Sequence, residues 1–184
     1  MKKLILAFAI LSSCVYMSAQ GKYITKNGHI SFFSHTTMED IKADNNQVAS
    51  ILDSETGEVI FNVLMKSFKF DRALMEEHFN ENYVESDKFP KANFKGKVTN
   101  ISSVDIKKSG TYNVDVEGQM TIHGVTKPVK AKGTLEVKDG NIKANSKFEL
   151  DYKQFNIVIP SVVKDKFQDA MEITVELDYS PMKK

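Results

Sequence analysis

The chain is 184 residues long, 41% hydrophobic and 27% charged, with 25 basic side chains set against 24 acidic ones. So even a balance leaves no basic stripe for a nucleic-acid partner, and the single cysteine, Cys14, rules out an internal disulfide and a cysteine zinc site. The length suffices for one domain that buries its own core.

Residues 1–20 carry a three-part export pattern. Lys2 and Lys3 form a basic start, Leu4 to Leu11 (LILAFAIL) an apolar run, and Ser18-Ala19-Gln20 a small, polar close. The run is too short to span a bilayer. It is expected to be a cleaved signal peptide, with residues 21–184 as the mature domain in the periplasm. Leu11-Ser12-Ser13-Cys14 also fits a lipobox, a second reading in which Cys14 is lipidated. No later apolar stretch reaches membrane-spanning length. Without Lys2 and Lys3 the balance is 23 basic to 24 acidic side chains.

A run at 28–33 (GHISFF) opens the strands, and 41–52 is a mixed candidate interrupted by Asn45-Asn46. Residues 54–57 read as a turn. In 58–66, Val59, Phe61, Val63 and Met65 share one face, while Ile60, Asn62, Leu64 and Lys66 share the other; this predicts a strand covered on both sides. Residues 71–84 change period. Leu74, Met75, His78, Phe79 and Asn82 recur at helical spacing, with Asp71 placed to cap the helix. After Pro90 the strand pattern returns, with Phe94, Gly96 and Val98 on one face.

The clearest segment is 110–123. Tyr112, Val114, Val116, Met120 and Ile122 point one way, and Asn113, Asp115, Glu117, Gln119, Thr121 and His123 the other, as a strand with one dry and one wet face requires. It runs into Gly124 and then Thr126-Lys127-Pro128, which is turn chemistry. Strands at 127–138 and 141–152 are joined by Asp139-Gly140, which suits a type I′ turn. Pro160 falls in a loop and 162–168 in a small helical turn. The last strand sets Ile173, Val175, Leu177 and Tyr179 against Glu172, Thr174, Glu176 and Asp178.

About eight strands with short connections and one short helix predict an all-β fold with antiparallel pairing. Eight such strands can close into a barrel, whose interior is either filled by side chains or holds one small ligand. The apolar faces of the strands leave both outcomes open.

Signals for chemistry are weak. His29, His35, His78 and His123 show no HxH or HExxH spacing, and His29 and His35 lie about 20 Å apart along a strand, too far to share a metal. There is no GxSxG and no phosphate-binding glycine loop. The reading contains no catalytic residue, no metal and no cofactor.

Two motifs carry a family resemblance. Residues 75–96 read MEEHFNENYVESDKFPKANFKG, and 118–129 read GQMTIHGVTKPV. Together they resemble the YceI-like family of exported, lipocalin-like polyisoprenoid-binding proteins. His78-Phe79, Phe89-Pro90, Phe94 and Gly124-Val125-Thr126-Lys127-Pro128 occupy the places of the family pattern, while Glu76-Glu77 stand where it has arginine-aspartate.

The resemblance implies an eight-stranded antiparallel lipocalin-like barrel with one short helix, holding an isoprenoid lipid of the quinone or polyprenyl phosphate type in its apolar interior. On that reading the tail contacts are Phe61, Val63, Met65, Val114, Val116, Met120, Phe148, Leu150, Val175 and Leu177. His78, Phe79 and Tyr83 are expected at a mouth near the helix end. The competing expectation is a packed barrel serving as a structural or interaction module in envelope stress, without ligand. A homodimer is left open.

Overall fold

The computed structural model describes residues 21–35, 40–159 and 170–182. The export segment with Cys14, Pro160 and the helical turn expected at 162–168 lie outside the described residues.

Among the described residues, nine strands form one antiparallel sheet. They are β1 (Lys22–Ser34), β2 (Ile41–Asp53), β3 (Glu58–Leu64), β4 (Lys69–Phe70), β5 (Lys91–Val98), β6 (Gly110–Ile122), β7 (Val125–Lys138), β8 (Asn141–Leu150) and β9 (Met171–Pro181). The order is β1-β9-β8-β7-β6-β5-β3-β2, and β1 pairs back onto β2. Eight strands therefore close into a barrel without exposed edges, and the two-residue β4 only adds to β2 through Ala43 and Asp44. The 13 residues of β6 run about 43 Å, or roughly 33 Å of barrel height at ~40° of tilt.

Two-residue turns set the register of the best-patterned strands. Asp139 and Gly140 both have positive φ (49° and 77°) between β7 and β8, as a type I′ hairpin demands. The same geometry recurs at His123 and Gly124, with φ of 51° and 74°, between the paired Ile122 and Val125. The turn is thus complete at Gly124, and the expected turn at Thr126-Lys127-Pro128 is strand instead. Pro128 is tolerated there because β8 joins β7 only from Gly133 onward, so among the described residues one side of β7 has no strand to receive an N–H before that point. The turn Tyr152–Phe155 packs against β7 near this gap and buries Tyr152 and Phe155. Tyr152 accordingly leaves the strand that was expected to run to it.

The mixed pattern of residues 41–52 has a structural cause. Ala43 and Asn45 face inward, and then Val48, Ser50 and Leu52 do so, with the parity changing in between. The pairing with β1 shifts register at the same level, between Thr25, Gly28 and Ile30. This is an irregular, bulged pair, which inverts strand parity on both partners. Asn45 is buried and holds the irregularity: its Oδ1 accepts from the Gln47 N–H, and its Nδ2 donates to the Leu64 carbonyl, both at 2.9 Å.

On the outer wall, His29 bridges neighbouring strands, with Nε2 2.8 Å from Asp44 Oδ1 and Nδ1 3.0 Å from Glu176 Oε2. Burial on its own raises the Asp44 carboxyl, but hydrogen bonds from His29 and Lys42 outweigh it and hold the group below its ordinary value of 3.8. A depressed carboxylate stabilises the fold fully above its unfolded pKa, and that contribution is lost as pH falls through the lower folded value. Asp44→Asn is therefore expected to cost about 1 kcal/mol at pH 7, a modest sum because the pair is partly solvated. Thermal melts should show the gap to the parent closing as pH drops below about 4. A gap that stays constant with pH would contradict this.

Candidate functional site

The expected double cover of β3 is corrected by its outer face. Ile60 and Leu64 are exposed, at 44% and 39%, so β3 is an ordinary one-sided barrel strand.

The inside of the barrel is divided along its axis. At the end formed by the start of β6 and the end of β9, Leu52, Val98, Leu135, Ile142, Leu177 and Tyr179 are 1–4% exposed and belong to one buried cluster. This is a packed floor. At the other end, the inward residues Val116, Met120, Ile122, Val129, Phe148, Leu150 and Ile173 are only half-buried. They line a cavity of about 230 Å³ that extends down to the floor.

A cap sits over the open end. The chain leaves the barrel after β3 and returns at β5, and the Met65 N–H donates to the Pro90 carbonyl at 3.0 Å to close the stem. Between them lie β4, a short helix α1 (Ala73–His78) and a single π-type turn over Phe79–Tyr83. Arg72 occupies the N-cap position without a side-chain cap bond, so Asp71 lies one residue too early to cap. Four rings pin the cap to the wall: Phe32 of β1 lies 5.4 Å from Phe68, 5.6 Å from Phe70 and 5.5 Å from Phe79. Phe79 also meets Phe68 and Phe70 at 5.7 and 5.1 Å.

All ten residues expected as tail contacts lie on the cavity wall. Phe61, Val63 and Met65 come from β3 and its end, Val114, Val116 and Met120 from β6, Phe148 and Leu150 from β8, and Val175 and Leu177 from β9. Of the three residues expected at the mouth, Phe79 lines the cavity, while His78 is exposed on the helix and Tyr83 is half-buried against the core without reaching the lining. Burial pushes the Tyr83 phenol upward.

The sequence reading passed over the small residues that make the space. Ala131 and Gly133 of β7 and Ala144 and Ser146 of β8 alternate inward and line the cavity. Their strand parity was readable, but alanine, glycine and serine carry little apolar weight in such a pattern. On the neighbouring wall, Gly96 and Gly118 face each other across β5 and β6, and the Phe94 ring lies so close over them that an added Cβ on Gly118 would stand 2.6 Å from it.

No charged side chain lines the cavity among the described residues. The few inward polar groups are already engaged. Ser146 Oγ donates to the Lys132 carbonyl at 2.7 Å. At the floor, Ser50 Oγ donates to the Ile60 carbonyl at 2.8 Å and lies 2.5 Å from the Tyr179 hydroxyl. The described residues contain no group of three or more His, Cys, Asp or Glu that could hold a metal, and no helix long and apolar enough to cross a membrane.

The two motifs of the sequence meet in space at the cavity's end of the barrel. Phe89 packs edge-on against His123, with centroids 4.7 Å apart, and fills the position where a Cβ on Gly124 would come within 2.6 Å of it. His123 Nε2 lies 2.6 Å from Glu85 Oε2 and Nδ1 lies 3.3 Å from the Phe155 carbonyl. The hydrogen bond from His123 holds the Glu85 carboxyl below its ordinary value. One hairpin turn thereby joins the cap, through Glu85 and Phe89, to the segment that fills the gap between β7 and β8.

The chain matches the family described as YceI-like domain over residues 22–179. The UPF0312 protein of Pseudomonas putida strain W619 is 29% identical over 191 residues, covering 94% of this chain and 93% of the relative. Among solved structures, a polyisoprenoid binding domain from Saccharophagus degradans implicated in plant cell wall breakdown superposes with a TM-score of 0.76 at 11% identity, covering 88% of this chain and 99% of that one. Burkholderia cenocepacia BcnA gives 0.69 at 14% identity, over 82% and 95%. The Campylobacter jejuni YceI protein gives 0.61 at 14% identity, over 82% and 90%. At these identities the likeness is one of fold.

Proposed function

The chain belongs to the YceI-like domain family, and on that footing we propose that it binds, and carries or sequesters, an isoprenoid lipid of the quinone or polyprenyl phosphate type in the periplasm. The observation that carries this reading is the 230 Å³ cavity at one end of the barrel, walled by apolar side chains and free of charge among the described residues. Such a wall offers a prenyl tail burial worth ~0.8 kcal/mol per CH₂-sized group. A few prenyl units, at five carbons each, outweigh the cost of association and reach micromolar affinity. The name of the Saccharophagus degradans domain, a polyisoprenoid binding domain with the same fold, supports the choice of ligand. The export pattern of residues 1–20 supports the compartment.

The protein acts in this reading as a binding protein and not as an enzyme. One structural neighbour, the Saccharophagus degradans domain, is described as a binding domain, and the cavity wall presents no carboxylate, histidine, lysine or cysteine among the described residues. A barrel filled throughout by its own side chains describes the floor half only.

The test is thermal. Added isoprenoid lipid at 100 times its Kd is expected to stabilise the fold by ~2.7 kcal/mol, a rise in Tm of about 5–10 °C for a domain of this size. No rise with any isoprenoid quinone or polyprenyl phosphate would refute the ligand. Fractionation that leaves the chain in the cytoplasm would refute the compartment.

A further inference from the structure

One lysine breaks the apolar lining pattern of the barrel. Lys127 alternates onto the same face of β7 as Val129, Ala131 and Gly133, which line the cavity. The ladder between β6 and β7 runs from Gly110 and Val137 to Ile122 and Val125 without a register shift, so this parity holds up to the hairpin. Among the described residues, Lys127 is the only charged side chain at an inward-facing position on the eight strands that close the barrel. It is half-buried and stands about 7 Å along the strand from Val129, toward the cap end. Its cross-strand partner is Met120, which lies on the cavity wall. Side chains opposed in this way start about 5 Å apart.

The outer face of the same two strands shows the ordinary arrangement. Lys130 stands opposite Glu117 and donates to it at 2.8 Å; Lys132 stands opposite Asp115 and donates to it at 2.9 Å. Lys127 faces an apolar residue instead and has no ion-pair partner among the described residues. The Glu85 carboxylate at this end of the barrel is taken by His123 and Lys88. A half-covered ammonium has given up part of its hydration and gains nothing back without a counterion. Its flexible stem lies along apolar surface and carries three donors to the rim. A phosphate there supplies the opposite charge and several acceptor oxygens, whereas a quinone carbonyl supplies an acceptor without charge.

Resting on the proposed lipid-binding function, we infer that Lys127 is a head-group anchor at the rim of the cavity and that it selects an anionic isoprenoid, a phosphate or diphosphate ester, over a neutral quinone or alcohol. The uncharged wall below it does not distinguish these ligands, so the choice between them falls to this one side chain.

Farnesyl phosphate and farnesol carry the same tail and differ in the head, and titration of each into the intact mature chain tests the anchor. The parent is expected to prefer the phosphate by about tenfold or more, and the preference should shrink as salt is raised. Lys127→Met keeps the apolar stem and removes the charge. It should lose about tenfold or more in affinity for farnesyl phosphate, while the affinity for farnesol changes less than about threefold. Lys127→Arg should retain the preference for the phosphate. Equal affinities in the parent, a preference that survives in a normally melting Lys127→Met variant, or an equal loss for both ligands would overturn the anchor while leaving lipid binding intact. Absence of binding by both ligands, together with no thermal shift from quinones or polyprenyl phosphates, would remove the binding function and the anchor with it.

Discussion

Replacing Ala131 and Ala144 together by leucine is expected to weaken isoprenoid binding a hundredfold or more while leaving the barrel at least as stable. Both alanines face the cavity from adjacent strands, β7 and β8, and are half-buried only because the space in front of them is open. Each leucine adds three carbons to that space. Together they occupy about six of the roughly nine carbon positions that a cavity of about 230 Å³ provides, on the scale of one benzene to about 150 Å³. At ~0.8 kcal/mol per carbon no longer buried, the loss to the ligand approaches 5 kcal/mol, and a hundredfold, about 2.7 kcal/mol, allows for partial sharing of the site. The fold does not suffer the usual cost of overpacking, because the new methyl groups enter a void and not a filled core. Calorimetric titration read beside thermal melts checks both halves. Unchanged affinity in a normally folded variant would mean that the tail lies elsewhere.

Phe32→Ala has the opposite profile. Phe32 is 7% exposed and is the one ring of β1 that touches three rings of the cap. Its removal forfeits the buried surface of a phenylalanine and leaves a hole bounded by Phe68, Phe70 and Phe79. Truncations of this kind cost about 3–5 kcal/mol, and the lost edge-on and tilted ring contacts belong to the same sum. The expected result is a denaturant midpoint lowered to match, with backbone amides of residues 65–90 exchanging faster than those of the floor. A uniform change across the barrel would show that the cap is held by its stem and not by the ring cluster.

The barrel was readable from sequence where strand parity is regular and burial one-sided. Residues 110–122 alternate without a break, and the type I′ turn at Asp139-Gly140 declares itself by residue type. The reading failed where parity breaks or where a residue's usual meaning is overridden. Asn45-Asn46 looks like an interruption because β1 and β2 are both irregular at that level, and Asn45 then spends its side chain on the backbone of Gln47 and Leu64. Pro128 looks like a turn residue, yet among the described residues β7 has no strand on its β8 side there. Ile60 and Leu64 look like a second buried face, yet they remain exposed, as scattered surface apolar residues commonly do.

The cavity was legible in half. Ten large residues expected at the wall from facial alternation together with the family motifs do lie on it. Its size was not legible, because it depends on Ala131, Gly133, Ala144 and Ser146, which speak through what they lack. Strand parity states which residues share a face; how completely they are covered, from Leu177 and Tyr179 at 2% exposed to the half-buried Val116 and Phe148, depends on what stands opposite them.

The most direct test of the central claim is denaturing extraction of the purified protein, made in cells rich in isoprenoid quinone, followed by lipid mass spectrometry. A barrel with an oily pocket at one end should release about one isoprenoid molecule per chain, and the Ala131→Leu, Ala144→Leu double variant should release far less. An extract empty of isoprenoids from both proteins, with no lipid taken up on subsequent exposure, would contradict the account.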